Sequence, residues 1–389
     1  MDESETEADT DLIRSTLFYS DHRLCSADIL SPSQARARIE VAVLNFLKVL
    51  SSPNPAISSL PLINRRSENC GLRRGLLSDV SSVFLSHSFC RRSLMRVNDA
   101  KAFVRVWKVM EVCFMILGEG KLVTQRELFY RLLSDSPHYF SSQQQVNSTV
   151  QDVVSLLRCT RHSLGLMASS RGAIIGRLIF HAPGEEILDC TTLGPAGHAI
   201  SGDFNLLGGL VFRSDARYII VVEKDAIFQR LSEDRLFNQL PSILITAKGY
   251  PDLATRFLLH RLSENFPSMP IFALVDWNPA GLAIICTYKF GSISMGLESY
   301  RYACNIKWLG LRGDDLHLIP ESAFIEMKPR DHQISKSLLS SSFLPESYKM
   351  ELEKMVEVGQ RAEIESLYCH GFDFLGKYVV QKIVQADYI

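Results

Sequence analysis

The sequence lacks the features of a disulfide-stabilised, zinc-binding or membrane-spanning protein. Its nine cysteines are scattered along 389 residues and include no Cys-x-x-Cys pair, so reduced thiols in a reducing compartment are expected. No uncharged apolar run approaches the ~18 residues that a membrane-spanning helix needs. The first residues, Met1 to Glu5, are acidic and lack the basic-then-apolar form of a signal peptide. These absences predict an intracellular protein.

An excess of positive charge is also missing. The 42 Lys and Arg residues are balanced by 43 Asp and Glu residues, which gives a formal net charge of −1. A protein of this charge that binds nucleic acid must use a local basic surface. The hydrophobic content of 46% and the charged content of 22% are those of a globular protein. The length allows two or three domains.

The first hundred residues contain one clear helix pattern. Residues 1–11 carry six acidic residues and no aromatic residue, and we predict a disordered acidic tail over residues 1–30. Residues 33–50 have the pattern of an amphipathic helix with a serine cap. Residues 51–98 are rich in Ser, Pro, Asn and Arg and are expected to be irregular, so residues 31–98 would form an N-terminal helix with an irregular extension.

A first domain is predicted over residues 99–182. Helix patterns cover residues 103–117, 124–133 and 145–158, and Thr124 to Glu127 fits a capping box. Residues 164–168 and 173–180 then flank Ser169 to Gly172 as a predicted hairpin. Three helices followed by a hairpin are the order of a winged helix, although other small α+β folds have the same order. The Gly-rich residues 183–213 are predicted to be a linker.

A second domain is predicted over residues 214–389. Apolar runs at residues 218–222, 242–246 and 271–275 suit strands buried on both faces of a parallel sheet, and the helix patterns 226–237 and 254–265 lie between them. This βαβαβ order predicts an α/β domain. Residues 295–311 and 343–368 are expected to add helices.

Two of these strands end on acidic residues. Glu223 follows the first strand, Asp276 follows the third, and Asn278 comes two residues later. Ligands of parallel α/β sheets bind beyond the carboxyl ends of the strands, and Mg²⁺ prefers such hard oxygen ligands. Taken singly, each acid is better explained without a metal: Glu223 as an exposed strand end, and Asp276 as part of an ordinary turn and helix cap. The arrival of both at one sheet edge favours a metal site.

A second candidate site lies on the capped helix of the first domain. Arg126 and Tyr130 are four residues apart and therefore share one helix face. A helical tyrosine is commonly a packing residue, and that alternative stays open here. The functional alternative is nucleophilic attack on a phosphodiester, which requires positive charge to help the phenol ionise and to stabilise the developing anion.

Seven motifs follow one another along the chain. They are Thr124 to Tyr130, Val221 to Lys224, Lys248 to Asp252, Thr255-Arg256, Asp276 to Pro279, Phe290 to Ser292 and Lys307 to Gly310. In this order they closely resemble the topoisomerase VI A subunit, in particular its eukaryotic meiotic relatives that make recombination-initiating double-strand breaks, and among these a plant-type paralogue. The resemblance covers roughly residues 33 to 389.

The resemblance implies a winged-helix (CAP-like) domain followed by a Toprim-type parallel βαβ domain. By position Tyr130 matches the family's nucleophile, Arg126 its neighbouring arginine, and Glu223, Asp276 and Asn278 its Mg²⁺ triad. Family members work as dimers, in which the tyrosine of one protomer faces the metal site of the other. For this chain the resemblance therefore implies a homodimer or a heterodimer with a paralogue, and we expect it in the nucleus. The two tyrosines cut duplex DNA and stay joined to its 5′ ends. The implied partners are other meiotic break proteins and a topoisomerase VI B-like subunit.

One residue departs from the family pattern, which is typically Asp-x-Asp where this chain has Asp276-Trp277-Asn278. The amide still offers a carbonyl oxygen but brings one negative charge less. We therefore expect weaker Mg²⁺ binding, or dependence on a partner protomer with a full acidic set. For DNA contact we predict Lys248, Tyr250 and Arg256 beside the metal edge and Arg171 at the hairpin tip. Lys224 is equally consistent with a simple surface charge.

Three functions agree with these residues. The first is a Mg²⁺-dependent DNA transesterase that uses Tyr130. The second is a catalytically idle DNA-binding subunit that completes a heteromeric break complex. The third is a Toprim-type nuclease or primase without a covalent step, which the shared face of Arg126 and Tyr130 disfavours.

Overall fold

A computed structural model of the chain describes residues 26–51, 59–74, 80–86, 88–93 and 97–389. The predicted acidic tail lies almost wholly outside these residues. The strands are β1 (Ser59–Ile63), β2 (Cys70–Arg74), β3 (Ser81–Leu85), β4 (Phe89–Ser93), β5 (Val123–Thr124), β6 (Leu166–Met167), β7 (Ala173–Gly176), β8 (Ile179–His181), β9 (Leu188–Asp189), β10 (His198–Ala199), β11 (Val211–Arg213), β12 (Tyr218–Val222), β13 (Ser242–Thr246), β14 (Ile271–Leu274), β15 (Ile306–Gly310), β16 (Ile325–Glu326) and β17 (Gln360–Arg361).

The α-helices of the same residues are α1 (Pro32–Leu50), α2 (Val97–Gly118), α3 (Gln125–Asp135), α4 (Gln143–Leu157), α5 (Phe204–Gly209), α6 (Asp225–Glu233), α7 (Leu236–Gln239), α8 (Leu253–Asn265), α9 (Pro279–Phe290), α10 (Pro329–Leu339), α11 (Glu346–Val358) and α12 (Phe374–Val384). None of these helices has the length and apolar character needed to cross a membrane.

The described chain divides into two compact units. The first contains the described residues up to Arg73, then Val83–Ser169 and Ser292–Tyr300. The second contains the described residues of 74–82, then Ser170–Gly291 and Arg301–Ile389.

The first unit is built on two central helices. Helix α2 packs against α4, α1 and α3, and the antiparallel pair β1–β4 covers α2 and α4. On α4 the residues Val150, Val153, Val154 and Leu157 are fully buried, as the helical spacing predicts. The three predicted helices are therefore confirmed, with boundaries shifted by a few residues.

Two expectations for the first unit are wrong. The described residues between 51 and 98 contain four strands, because short apolar stretches such as Leu60 to Ile63, all buried, can pair in a segment that is polar on average. The hairpin around Ser169 to Gly172 does not form. Strand β6 pairs in parallel with β5, whereas β7 belongs to the second unit and pairs antiparallel with β13. All four residues of β7 are buried, which suits a sheet interior more than a solvent-exposed wing.

The second unit contains a six-stranded sheet with the order β10-β7-β13-β12-β14-β15. Strand β12 lies between β13 and β14 and is parallel to both, and β15 is parallel to β14. This parallel pairing confirms the predicted βαβαβ core. Its apolar runs, which lack polar alternation, are almost completely buried, as strands covered on both faces of a sheet should be.

Two further expectations for this unit are wrong. Residues 183–213 are not a linker, because they contain β9, β10, α5 and β11 and β10 extends the main sheet. Residues 295–311 do not form an α-helix: a 3-10 helix at Ser299–Arg301 is followed by strand β15, whose Trp308 and Leu309 are fully buried. Of residues 343–368, only Glu346–Val358 is α-helical, and a 3-10 helix follows at Ile364–His370.

Candidate metal centre and nucleophile

Two acidic side chains meet where the central strands end. Val222 pairs with Leu274 in the parallel register of β12 and β14, so the residues that follow both strands emerge at one edge. The backbone N–H of Asp276 donates to Oε2 of Glu223 at 3.0 Å, and the N–H of Glu223 donates to the carbonyl of Leu274 at 3.0 Å. The structure therefore brings Glu223 and Asp276 together, as their strand-end positions predict.

The protein environment raises the pKa of both carboxyl groups, so each is harder to ionise when no cation is bound. Burial, followed by the charge of Asp276, raises the pKa of Glu223 to about 7. Burial also raises the pKa of Asp276, against the opposing effect of the nearby Lys224 ammonium. A buried carboxylate pair of this kind gains from a bound cation, which offsets the cost of desolvating its negative charge.

At this edge the side chain of Asn278 can serve as a helix cap and as a metal ligand. It is the N-cap of α9, and its side-chain oxygen accepts a hydrogen bond from the Gly281 N–H at 2.7 Å. The residue is 5% exposed. One lone pair of the amide oxygen is therefore used in capping, and the second lone pair is the one that a metal ion would use.

These donors fit a hard divalent cation. Two carboxylates and an amide oxygen are a hard ligand set that suits Mg²⁺, which binds few protein ligands and keeps several waters. Within the ranges that the structure describes, no group of three or more His, Cys, Asp or Glu side chains is arranged to hold a metal ion. The candidate centre therefore depends on the Glu223–Asp276 pair with Asn278 as the third donor.

The structure adds three residues beside this pair, Lys224, Glu363 and Glu365, whose clustering the sequence did not predict. The ammonium of Lys224 lies 3.1 Å from Oδ2 of Asp276, 3.2 Å from Glu363 and 2.5 Å from Glu365. Burial opposes charging of Lys224, but the charges of Asp276 and Glu365 raise its pKa. Lys224 is thus not a simple surface charge. Glu363 and Glu365 lie 139 and 141 residues from Lys224 along the chain, so no local pattern could have connected them.

The candidate nucleophile is accessible on the first unit. Thr124 caps α3 by accepting from the Glu127 N–H at 3.1 Å, which is the first half of the predicted capping box. Leu128 and Leu132 point into the core, whereas Tyr130 is 59% exposed and Arg126 is exposed on the same face. The structure therefore leaves the phenol of Tyr130 open to a substrate instead of packing it in the interior.

A polar loop adjoins the acidic pair. The Gly249 N–H donates to the carbonyl of Glu223 at 2.8 Å, which places the turn after β13 at the same edge. Tyr250 is 58% exposed and its hydroxyl is 2.8 Å from Oγ1 of Thr287. Arg171 donates to the Tyr250 carbonyl at 3.1 Å. Arg171 is therefore not at a hairpin tip. It lies beside Tyr250, another of the predicted DNA-contact residues.

The burial of Arg256 argues against its predicted contact with DNA. Arg256 is 3% exposed, and its guanidinium lies over the ring of Tyr302, at 5.3 Å from the ring centroid. Helix α8 is buried along most of its length, and position 256 falls on the inward face beside Thr255. A side chain in that position cannot reach a phosphate outside the protein. Lys248, by contrast, is exposed and pairs with Asp225 at 3.3 Å.

The parallel sheet with paired acids after adjacent strands, together with an exposed tyrosine on the helical first unit, is consistent with the class of Toprim-containing, topoisomerase-like proteins. Comparison with protein families agrees with this class. Residues 218–383 match the Toprim domain of the topoisomerase 6 A-type/Spo11 proteins, and residues 101–166 match the type IIB DNA topoisomerase family. The chain belongs to this topoisomerase VI A-type/Spo11 family.

Individual relatives show which members of the family the chain resembles strongly. The chain is 72% identical to the meiotic recombination protein SPO11-2 of Oryza sativa subsp. indica over 98% of this chain and 100% of that one. It is 64% identical to SPO11-2 of Arabidopsis thaliana over 97% and 98% of the two chains. It is 38% identical to the A3 subunit of DNA topoisomerase 6 of Oryza sativa subsp. indica over 80% and 70%. The resemblance to the meiotic, plant-type members is confirmed.

Proposed function

We propose that this protein initiates meiotic recombination by breaking duplex DNA through transesterification at Tyr130. The observation that carries the proposal is the 59% exposure of Tyr130 on a capped helix, with Arg126 on the same face. The names of the SPO11-2 relatives support the meiotic role. A surface tyrosine without a partner charge would not suffice, because the phenol needs a cationic neighbour to act as a nucleophile near neutral pH.

The proposed reaction exchanges one phosphodiester for another. The phenolic oxygen of Tyr130 attacks a backbone phosphorus, the bond from phosphorus to the 3′ oxygen breaks, and a 5′ phosphotyrosyl linkage forms. The phenolic proton is lost to solvent and the departing 3′ oxygen gains one, so no external energy source is needed. Arg126 is proposed to neutralise the phosphate as negative charge develops on its oxygens.

Glu223, Asp276 and Asn278 are proposed to hold Mg²⁺. When bound, the ion would supply positive charge to a phosphate or to the departing 3′ oxygen. The chain's own contribution is to hold two carboxylates at one sheet edge and to keep them in a mostly buried environment, where electrostatic attraction to a cation is stronger than in water.

DNA is proposed to contact both units. The three helices of the first unit would serve as a helix-turn-helix of the winged-helix (CAP-like) kind, with the β5–β6 pair in place of the hairpin. On the second unit Lys248 and Arg171 would neutralise phosphates and the exposed ring of Tyr250 would contact a base step. Arg256 is not part of this surface. Since the net charge is −1, these local cations would determine DNA affinity.

The proposal includes an assembly. The break of two strands needs two tyrosines, so a homodimer or a heterodimer with a paralogue is proposed. It would work in the nucleus with other meiotic break proteins and with a topoisomerase VI B-like subunit. The relative named as the A3 subunit of DNA topoisomerase 6 supports such a role, since its name describes one part of a multisubunit enzyme.

The decisive experiment recovers 5′ DNA ends from meiotic cells and identifies the tyrosine peptide that they carry. Tyr130→Phe should abolish this covalent attachment without changing folding, because the side chain is exposed. Tyr139→Phe, on a half-buried tyrosine of the same unit, is the matched control and should retain attachment. DNA ends that still carry protein in the Tyr130→Phe strain would refute the assignment of the nucleophile.

A catalytically idle subunit is the second candidate function. The observation that favours it is Asn278, whose amide oxygen already caps α9 and which brings no negative charge to the metal centre. In that case the protein would bind DNA and complete a heteromer whose other protomer carries the working metal centre. It predicts that Tyr130→Phe is tolerated in meiotic cells, whereas the transesterase predicts loss of recombination.

A further inference from the structure

Lys224 occupies the position that a divalent cation would compete for. Its ammonium is 3.1 Å from Oδ2 of Asp276, and the other carboxylate oxygen, Oδ1, accepts from the Ile364 N–H at 2.9 Å. Both oxygens of Asp276 are therefore engaged within the protein. The Asp276 side chain is 5% exposed, so water cannot easily replace either contact.

A second pair of carboxylates is available to the same ammonium. Glu363 and Glu365 lie 3.2 Å and 2.5 Å from it, and their side chains are 38% and 35% exposed. The Lys224 side chain is 24% exposed. A lysine ammonium on a flexible four-carbon stem can change partners with little movement of the backbone. Glu363 and Glu365 can thus hold Lys224 without help from Asp276.

We propose that Lys224 is an internal placeholder: it neutralises Asp276 in the cation-free protein, and when a divalent cation binds it gives up Asp276 and keeps only its contacts with Glu363 and Glu365. Lys224 is accordingly a positioning residue, because it acts through Asp276. This inference rests on the proposed cation site. It adds that binding is an exchange of one cation for another, which lowers the affinity for the ion and keeps the buried acids from repelling each other before it arrives.

The same exchange explains how a centre with the neutral Asn278 can still bind a divalent ion. The proposed ligands include only two carboxylates, and Lys224 neutralises one of them in the cation-free protein. When Lys224 gives up Asp276 and keeps Glu363 and Glu365, the full negative charge of Asp276 becomes available to the divalent ion. Glu365, the nearer of the two, is the main acceptor by distance.

The test measures Mn²⁺ binding to the purified full-length chain, by the loss of the free-ion electron paramagnetic resonance signal, without DNA. Lys224→Met should raise the Mn²⁺ affinity by about tenfold or more, since no ammonium competes for Asp276. Lys224→Arg keeps the positive charge and should stay within about threefold of the natural protein. An unchanged or lower affinity in Lys224→Met would overturn the proposal, because a residue that merely organises Asp276 predicts a loss.

A matched control separates displacement from the general effect of charge. Lys248 lies at the same edge but pairs with Asp225 at 3.3 Å. Lys248→Met removes the same charge without freeing Asp276, so its Mn²⁺ affinity should change by less than about threefold. Equal gains in Lys224→Met and Lys248→Met would mean that only through-space charge is at work, and the placeholder role would be refuted.

A double-mutant cycle tests the role of Glu365. Glu365→Gln should weaken Mn²⁺ binding when Lys224 is present, because the ammonium then stays on Asp276, and should have little effect in the Lys224→Met background. Equal effects in both backgrounds would contradict the exchange. Asp276→Asn tests the site itself: if the natural protein and Lys224→Met both bind no Mn²⁺, or if Asp276→Asn leaves binding intact, the proposed metal centre fails and the exchange fails with it.

Discussion

Substitution of Asn278 separates the two roles that its side-chain oxygen can have. The oxygen accepts from the Gly281 N–H at 2.7 Å as the cap of α9, and the residue is 5% exposed. Asn278→Ala removes the cap and leaves a buried N–H unpaired. Loss of an N-cap costs about 1 kcal/mol, and an unsatisfied buried donor costs about 1–3 kcal/mol. We therefore expect the free energy of unfolding to fall by about 1–2 kcal/mol, because the two costs describe the same lost bond.

Asn278→Asp keeps the capping oxygen and adds a negative charge. A carboxylate at a helix N-terminus is favourable by about 0.3–1 kcal/mol, but here it joins the buried pair Glu223 and Asp276. In the absence of divalent cation these effects oppose each other, so the unfolding free energy should change less than in Asn278→Ala. With Mn²⁺ present the added charge should raise the affinity by about tenfold, which corresponds to about 1.4 kcal/mol.

The assay combines chemical denaturation with Mn²⁺ titration of the natural protein and both variants. If Asn278 is a ligand as well as a cap, Asn278→Ala lowers both the stability and the Mn²⁺ affinity. If it is only a cap, Asn278→Ala lowers the stability and leaves the affinity unchanged. An Asn278→Asp protein that binds Mn²⁺ no better than the natural one would refute the reasoning that this position faces the proposed metal centre.

Three further outcomes are expected. Because burial raises the folded-state pKa of Glu223 to about 7 from a usual value of 4.5, the folded state binds a proton that the unfolded state releases in this window, so the unfolding free energy without metal should fall as pH rises from about 4.5 to 7. Glu223→Gln should flatten that fall and be more stable at about pH 7.5, as followed by denaturant melts; an equally steep fall in both proteins would contradict it. Gly172→Ala would bring a Cβ within 2.8 Å of the Thr246 carbonyl and should cost about 1–3 kcal/mol of stability, whereas Gly194→Ala, with open space around it, should change stability by less than about 0.5 kcal/mol. Arg256→Met should be neutral or stabilising by up to about 2 kcal/mol, because Nε and Nη2 of this buried guanidinium have no hydrogen-bond partner among the described residues; it should also leave DNA affinity unchanged, while Lys248→Met should weaken DNA binding and reduce its salt dependence by about one ion. A loss of DNA affinity in Arg256→Met alone would reverse this assignment.

Local sequence determined the elements whose pattern is complete within a few residues. The strands β12, β13 and β14 are continuous apolar runs, which can be buried only between two layers. Helices α3, α4 and α9 begin after Thr124, Ser142 and Asn278, whose side chains accept from backbone N–H groups three residues later. Glu223 and Asp276 follow from these strands, because parallel neighbours end at one edge. The exposed pair on α3 follows from its helical spacing.

Tertiary structure decided what each element pairs with. The sequence around β7 suits a hairpin as well as a sheet interior, and only its partner β13 distinguishes the two. Arg256 carries the same charge whether it is exposed or buried, and its position depends on how α8 packs. Lys224 meets Glu363 across 139 residues of chain. Periodicity and capping are properties of adjacent residues, whereas strand partners, burial and distant ion pairs depend on the free energy of packing the whole unit, and that energy is not contained in any short segment.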